Sequence, residues 1–321
     1  DAKSVWTLDS GDTITGSVQY NREVKNNYRT VTKSDVATYG YHYGYYQAWQ
    51  NGNPSNWVGT QVNPFRSWIA SVDGEFTLND SLHLSVVPYF VYGYGGGSYG
   101  YANTYVFFTS DTFRPGIHVK FKQDFGLNDS LEFGFLAERP RQQGSNPYLP
   151  ADGQGNPSDV WGHDSAYYYT NANGTPKVAY RYYSATPTYR VFATNTWTPS
   201  DQWTVTLGGA YTWVTRKGWY STWPGSDNGI NTGSASSSEL FADGSRTYKK
   251  FTPTAGVKFQ LDERNQFYAG IGQSYRAPIN TSALYDFWNA SYAQATGRSI
   301  GVSNADPEQA LTGDIGWRFY G

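Results

Sequence analysis

The chain has 321 residues, with 24 basic and 26 acidic side chains, so its charge gives no reason to expect a nucleic-acid partner. It has no cysteine, which excludes a disulfide framework and thiolate metal sites, and no methionine, so we expect a processed chain or a piece of a longer one. Aromatic residues make up 18% of it, including 29 Tyr and 12 Trp, and glycine is plentiful at 35. No apolar run approaches the roughly 20 residues of a membrane-spanning helix.

Taken in chain order, the apolar residues fall at every second position, the mark of strands with one oily and one wet face. The pattern begins in Ile14 to Tyr20 and recurs in Trp68 to Leu78. It is strict in Leu82, Leu84, Val86, Pro88, Phe90, Tyr92 and Tyr94. Ile117, Val119 and Phe121 alternate with His118, Lys120 and Lys122, and Leu131, Phe133, Phe135 with Glu132. Tyr189 to Trp197, then Trp203 to Trp213, Phe251 to Leu261, Phe267 to Tyr275 and Leu311 to Phe319 complete the series. These make about ten to eleven strands of roughly ten residues, the span of a tilted strand crossing a bilayer.

The connections alternate in length. Short turns rich in Asn, Asp, Ser and Gly are expected at about 9–12, 79–81, 128–130, 198–202 and 262–266. Long connections are expected at about 21–66, 95–113, 140–187, 216–249 and 277–309, and Gly95-Gly96-Gly97 reads as a loop tip. Long loops at one end and short turns at the other fit an antiparallel transmembrane β-barrel, with long loops outside the cell and short turns in the periplasm. The apolar face then meets lipid. The wet face, with Lys120, Lys122, Asp124, Glu132, Lys258, Gln260, Asp314 and Arg318, lines a lumen. Val5 to Leu8 lead into the first turn after too few residues to cross the bilayer, so a segment of a larger barrel is expected.

One stretch carries a family resemblance. Ser274-Tyr275-Arg276-Ala277-Pro278, then Asn304-Ala305-Asp306-Pro307-Glu308, then Thr312-Gly313-Asp314-Ile315-Gly316-Trp317 together resemble the barrel of TonB-dependent outer-membrane receptors. The match departs from the family in having one Pro in the loop and Asp314 where Glu is more frequent, and it lacks plug, TonB box and terminal Phe. The resemblance implies roughly half of a 22-strand barrel. It also implies residence in the bacterial outer membrane among lipid and lipopolysaccharide, coupling to TonB through a plug domain, and uptake of a small-molecule chelate such as a ferric siderophore. No cofactor is implied.

Independently of the resemblance, Tyr and Trp offer large amphipathic contact area at low entropic cost. Tyr41, Tyr43, Trp49, Trp57, Tyr99, Tyr101 and Tyr168, with Arg276, are therefore the candidate ligand contacts. A passive porin is the alternative reading, although the long loops are aromatic and glycine-rich rather than densely charged. A rim-site outer-membrane protease would need His163 and Asp164 to act as an acid/base pair.

Overall fold

A computed structural model describes residues 1–26, 31–41, 61–101, 104–152, 156–170, 172, 174, 176–222, 240–279 and 306–321. Among them are thirteen antiparallel strands in one sheet. They are β1 (Ala2–Thr7), β2 (Thr13–Asn26), β3 (Val62–Asn79), β4 (Leu82–Tyr101), β5 (Thr104–Asp124), β6 (Asp129–Glu138) and β7 (Arg141–Pro150). After a 3₁₀ turn at Ser165–Tyr167 come β8 (Val178–Ala185), β9 (Thr188–Ser200), β10 (Trp203–Thr222), β11 (Leu240–Gln260), β12 (Asn265–Arg276) and β13 (Glu308–Phe319).

Eleven of these form a continuous wall in the order β1-β2-β3-β4-β5-β6-β9-β10-β11-β12-β13. The remaining two extend two of its strands. β6 pairs Gly116 of β5 with Glu138, and β7 resumes with Phe113 opposite Arg141 in the same register. Likewise β9 pairs Thr188 with Val214 of β10, and β8 pairs Ala185 with Lys217, again without slippage. The interruptions fall at Pro140 and Pro187, which have no N–H to give to the ladder. Their carbonyls still take part: Thr186 N–H donates to Pro140 at 2.8 Å and Thr215 N–H donates to Pro187 at 2.9 Å.

Strands therefore continue well into four of the five segments expected to be long loops, and β13 begins at Glu308 within the fifth. Residues 95–113 hold the upper halves of β4 and β5, 140–187 hold β7 and β8, and β2, β3, β10 and β11 run into 21–66 and 216–249. Gly95, Gly96 and Gly97 are paired rungs opposite Ser110, Thr109 and Phe108 rather than a loop tip. A side chain is excluded there because a Cβ on Gly96 would lie 2.1 Å from the Phe108 carbonyl oxygen, and one on Gly95 2.4 Å from that of Pro64. The expected loop 21–66 also contains a helix, α1 (Lys33–Tyr39), opened by a capping box between Thr32 and Asp35.

Side-chain acceptors close the tight turns at the opposite end. Asn79 Oδ1 accepts from the Ser81 and Leu82 amides, both at 3.0 Å. Asp262 Oδ1 accepts from Arg264 N–H at 2.8 Å and Asn265 N–H at 2.9 Å. Asp12 reaches across strands to accept Thr77 N–H at 2.7 Å. Its carboxyl is held below the usual carboxylate range by the Ser10 hydroxyl and the Thr77 amide, and that of Asp262 by the Arg264 amide and the Asn265 side chain.

The two faces of the wall differ as the alternation demands. Trp68, Val72, Phe90, Phe135, Val191, Leu207, Phe251, Ile271, Ile315 and Trp317 stand exposed on one face, the lipid side of a barrel. The opposite face carries the paired charges Lys120–Glu132 at 3.4 Å and Lys122–Asp124 at 3.0 Å. Above the apolar band, residues of the β7–β8 connection fold against the outward face of the extended wall. There Tyr105, Phe107 and Leu149 are fully buried, with Ala151 and Tyr168 packed on them. Gly162, at φ 57°, lies so close that a Cβ would approach Phe107 to 2.3 Å. Trp161 takes Arg22 and Arg66 against its ring, at 5.5 and 5.3 Å.

Candidate functional site

On the lumen face, where β6 and β9 give way to β7 and β8, the wall forms an open recess of about 640 Å³. Its position follows from the proline interruptions. The break at Pro187 leaves Thr186 with its hydroxyl turned to β10, where Arg216 meets it: Arg216 Nη1 donates to Thr186 Oγ1 at 2.9 Å. The same guanidinium donates from Nε to the Pro278 carbonyl at 2.8 Å. One side chain thus ties the end of β12 to the proline break. Beneath it Ala277 is buried against Val214 and Tyr248, with Tyr275 packed alongside. The Tyr-Arg-Ala-Pro stretch owes its residue types to this arrangement, with a small residue for the buried contact and a proline to stop the strand.

Charge in the recess is unbalanced. Glu138 is spoken for, since its Oε2 accepts from Arg114 Nη2 and Nε, both at 2.8 Å, and from the Tyr89 hydroxyl at 2.7 Å. Arg190, Arg216 and Arg276 also border the recess. Arg276 meets Glu308 at 3.8 Å, with both side chains about 70% exposed (70% and 73%), a loose pair in water. Arg190 and Arg216 make no ion pair among the described residues. The Arg216 side chain is partly buried in the wall, and Arg276 brings a second positive charge to the same recess. A guanidinium nevertheless stays protonated, so the site keeps a partly desolvated positive charge whose nearest partners are neutral. Thr188, Thr212 and Thr252 supply hydroxyls around it. The arrangement can attract and orient an anion; it offers no nucleophile with an adjacent base.

Of the sequence-based candidates whose side chains are described, Arg276 alone borders this recess. Tyr41 follows α1 and is 85% exposed. Tyr43, Trp49 and Trp57 lie outside the described residues. Tyr99 and Tyr101 sit at the tip of the β4–β5 hairpin, opposite Val106 and Thr104, where the backbone alone is described. Tyr168 is on the other face of the wall. Its hydroxyl donates to the Gly162 carbonyl at 2.8 Å, and burial, aided by Asp159 and Asp164, raises its pKa. Its role there is to hold the folded-back connection. His163 and Asp164 serve separate ends: the imidazole stands edge-on to Tyr94 at 5.2 Å, while Asp164 Oδ1 accepts Ala166 N–H at 2.9 Å and caps the 3₁₀ turn. Among the described residues no three His, Cys, Asp or Glu side chains gather as a metal site.

Arg216, Arg190 and Glu138 were not among those candidates. Arg216 hid in the segment expected to be a loop, although Thr212, Val214, Arg216 continue the inward series of β10. Reading the alternation past Trp213 would have found it.

Comparison with known proteins agrees with this architecture. The family described as TonB dependent receptor-like, beta-barrel matches residues 5–321. The fold resembles that of the ferric citrate transporter FecA in its unliganded form, with TM-score 0.64 and 16% identity, covering 99% of this chain and 40% of that one. The closed form of the ferric-catecholate import receptor Fiu from K12 E. coli gives TM-score 0.62 and 14% identity over 99% of this chain and 48% of that one. The ferric yersiniabactin uptake receptor FyuA from Yersinia pestis gives TM-score 0.61 and 9% identity over 98% and 41%. The chain spans less than half the length of these structures, and no curated protein matches it by sequence. A match along nearly the whole chain shows that the chain belongs to the TonB-dependent receptor β-barrel family.

Proposed function

We propose that the chain is part of the wall of an outer-membrane receptor that takes up a scarce nutrient as an anionic metal chelate, most simply a ferric siderophore. The observation that carries this reading is the excess positive charge in the lumen-side recess. Among the described residues Arg190 and Arg216 lack carboxylate partners there and Arg276 has a loose one. A desolvated, pre-positioned guanidinium is suited to a carboxylate or phenolate oxygen because its planar fork matches two acceptors. The solved structures similar to this chain include receptors for ferric citrate, ferric catecholates and ferric yersiniabactin, which supports iron as the cargo. In this reading the barrel makes first ligand contacts through its extracellular half. A plug domain coupled to TonB supplies the work of transport, and the remaining strands complete the 22-strand barrel.

The test is binding by the full-length detergent-purified protein. Calorimetric titration with ferric citrate, a ferric catecholate and a neutral ferric hydroxamate should give heat with at least one of the anionic chelates. No binding by any anionic chelate, together with binding of the neutral hydroxamate, would sink the assignment of chemical class.

A further inference from the structure

A second recess lies on the lumen face of β10 to β13, nearer the tight turns, with a volume of about 490 Å³. The register builds it from rows of inward-facing neighbours. In one row Thr204 is opposite Lys258, Lys258 opposite Tyr268, and Tyr268 opposite Gly316. The next row toward the arginine recess is Thr206, Gly256, Gly270 and Asp314. Arg318 stands on the other side of the first row, opposite Gln266. Two adjacent glycines therefore leave the floor bare between Lys258 and the strand rows above it.

The wall itself does not require those two glycines. A Cβ on Gly256 would lie 3.7 Å from the Ala269 carbonyl oxygen, and one on Gly270 3.8 Å from that of Ala255, both ordinary contact distances. The space over them is thus open to an occupant from outside the wall. Gly316 is different, because a Cβ there would collide with the Tyr268 ring. Lying over Gly316, that ring carries the Arg318 guanidinium at 4.9 Å, and Arg318 Nη1 donates to Gln266 Oε1 at 3.2 Å. Arg318 is held at the rim by neutral partners.

Lys258, Arg318 and Asp314 make no ion pair among the described residues, so two cations and one acid leave the recess positive. On β5 and β6 the inward cations are neutralised: Arg114 meets Glu138, Lys120 meets Glu132 and Lys122 meets Asp124. The two recesses are joined along β11. Thr252 borders the arginine recess, and Thr254 and Gly256 lead inward-facing from it to Lys258, with no carboxylate in the series. That stretch measures about 20 Å at roughly 3.3 Å per residue. Fixed charge of one sign along a low-dielectric wall raises the local concentration of the opposite ion.

We infer that the lower recess is a second anion subsite, which takes the anionic oxygens of the cargo after they leave the arginine recess. The cargo's way through the lumen then follows β10 to β13. This assignment rests on the reading of the chain as a receptor for an anionic chelate. A carboxylate of the plug domain offers the same chemistry, and the test separates the two sources.

The test uses the full-length protein in detergent, with any cysteine elsewhere replaced and Thr206→Cys introduced on the recess floor. Its labelling rates with anionic sulfonatoethyl and cationic trimethylammonioethyl methanethiosulfonate are each taken relative to the rate with a free small thiol. One net charge at contact in water is worth about fivefold, with opposite sign for the two reagents, so the anionic one should be favoured roughly 25-fold. In the Lys258→Gln, Arg318→Gln variant Asp314 is left as the local charge, and the preference should reverse. Millimolar citrate at constant ionic strength should slow labelling in the parent and not in that variant. Should the variant lack the heat-modifiable gel mobility of a folded barrel, Lys258→Gln alone, which leaves Arg318 and Asp314 balanced, should abolish the preference. Equal relative rates in the parent, a preference that survives in a folded variant, or citrate without effect would overturn the inference. A thiol at 206 that neither reagent reaches until the protein is unfolded in urea would give the recess to the plug, and would overturn it too. The uptake reading fails separately, if calorimetric titration shows binding of the neutral hydroxamate alone, whatever the reagent rates.

Discussion

Replacing Arg216 by glutamine removes the partly buried charge of the recess while keeping a polar side chain that can reach one of its two acceptors. Two effects follow, and they separate. The first is electrostatic. An anionic oxygen about 7 Å from the guanidinium, at an effective dielectric constant near 20, gains roughly 2 kcal/mol. Loss of that term weakens binding of a singly charged anionic chelate about 30-fold and leaves a neutral chelate unaffected. The second is structural. Arg216 holds Thr186 Oγ1 and the Pro278 carbonyl, and bonds from a charged donor are worth about 1.5–3 kcal/mol each before water in the open recess is allowed for. A net loss of about 2 kcal/mol in stability is expected. Arg216→Lys tells the two apart: it keeps the charge but cannot bridge both acceptors. The lysine variant should therefore lose stability like the glutamine variant yet retain most of the affinity. Calorimetric titration at low and high salt, with urea unfolding in micelles, measures both. A folded Arg216→Gln protein that binds an anionic chelate as tightly as the parent at low salt would refute the electrostatic argument.

Three further outcomes follow from the geometry. Gly162→Ala places a Cβ against Phe107 at a positive φ, so it should lift the folded-back connection, cost about 1–3 kcal/mol, and speed limited proteolysis between 150 and 170. Glu138→Gln removes the carboxylate that receives Arg114 and Tyr89. It should cost about 1–3 kcal/mol in urea unfolding, and Glu138→Asp, too short to hold both donors, should cost nearly as much. The turns at Asp12 and Asp262 should be pH-sensitive in one direction. Both carboxyls titrate below the ordinary value of 3.8, so the stabilisation is present above that pH and is lost as pH falls through the lower folded value. Protection of the Thr77 and Arg264 amides against hydrogen exchange, taken relative to the unprotected rate at each pH, should hold from neutral pH downward and be lost only in strong acid; loss of protection near pH 6 would contradict the assignment.

The wall was legible because its physics is period two. Every stretch in which Leu, Val, Phe or Trp alternates with Thr, Lys or Glu is a strand, and the Asn, Asp and Gly clusters between them are turns. What the alternation missed lies above the apolar band. Arg141-Gln142-Gln143-Gly144-Ser145-Asn146 shows no alternation of oily and wet residues, yet it continues β6 in register. Pro140 and Pro187 read as the ends of strands when they are gaps in two long ones. Gly95 to Gly97 read as flexible, whereas a neighbouring backbone within 2.4 Å of a would-be Cβ explains Gly95 and Gly96. The candidate site was harder for a related reason. Aromatic density pointed to loop tyrosines, of which Tyr168 packs on the outward face away from the recess, whereas the recess is bordered by charges whose lack of partners among the described residues no sequence pattern displays.

The central claim is that the arginine recess opens to the outside of the cell and receives the ligand. The chain itself has no cysteine, so once any cysteine elsewhere in the full-length protein is replaced, single thiols report without background. In intact cells expressing the full-length protein, Thr212→Cys, on the recess side of β10, and Leu207→Cys, on its lipid side, would be treated with a membrane-impermeant maleimide, with and without saturating anionic ferric chelate. The thiol at 212 should be labelled and protected by the chelate, while that at 207 should be labelled in neither condition. Labelling at 212 that the chelate leaves unchanged, or equal labelling at both positions, would contradict it.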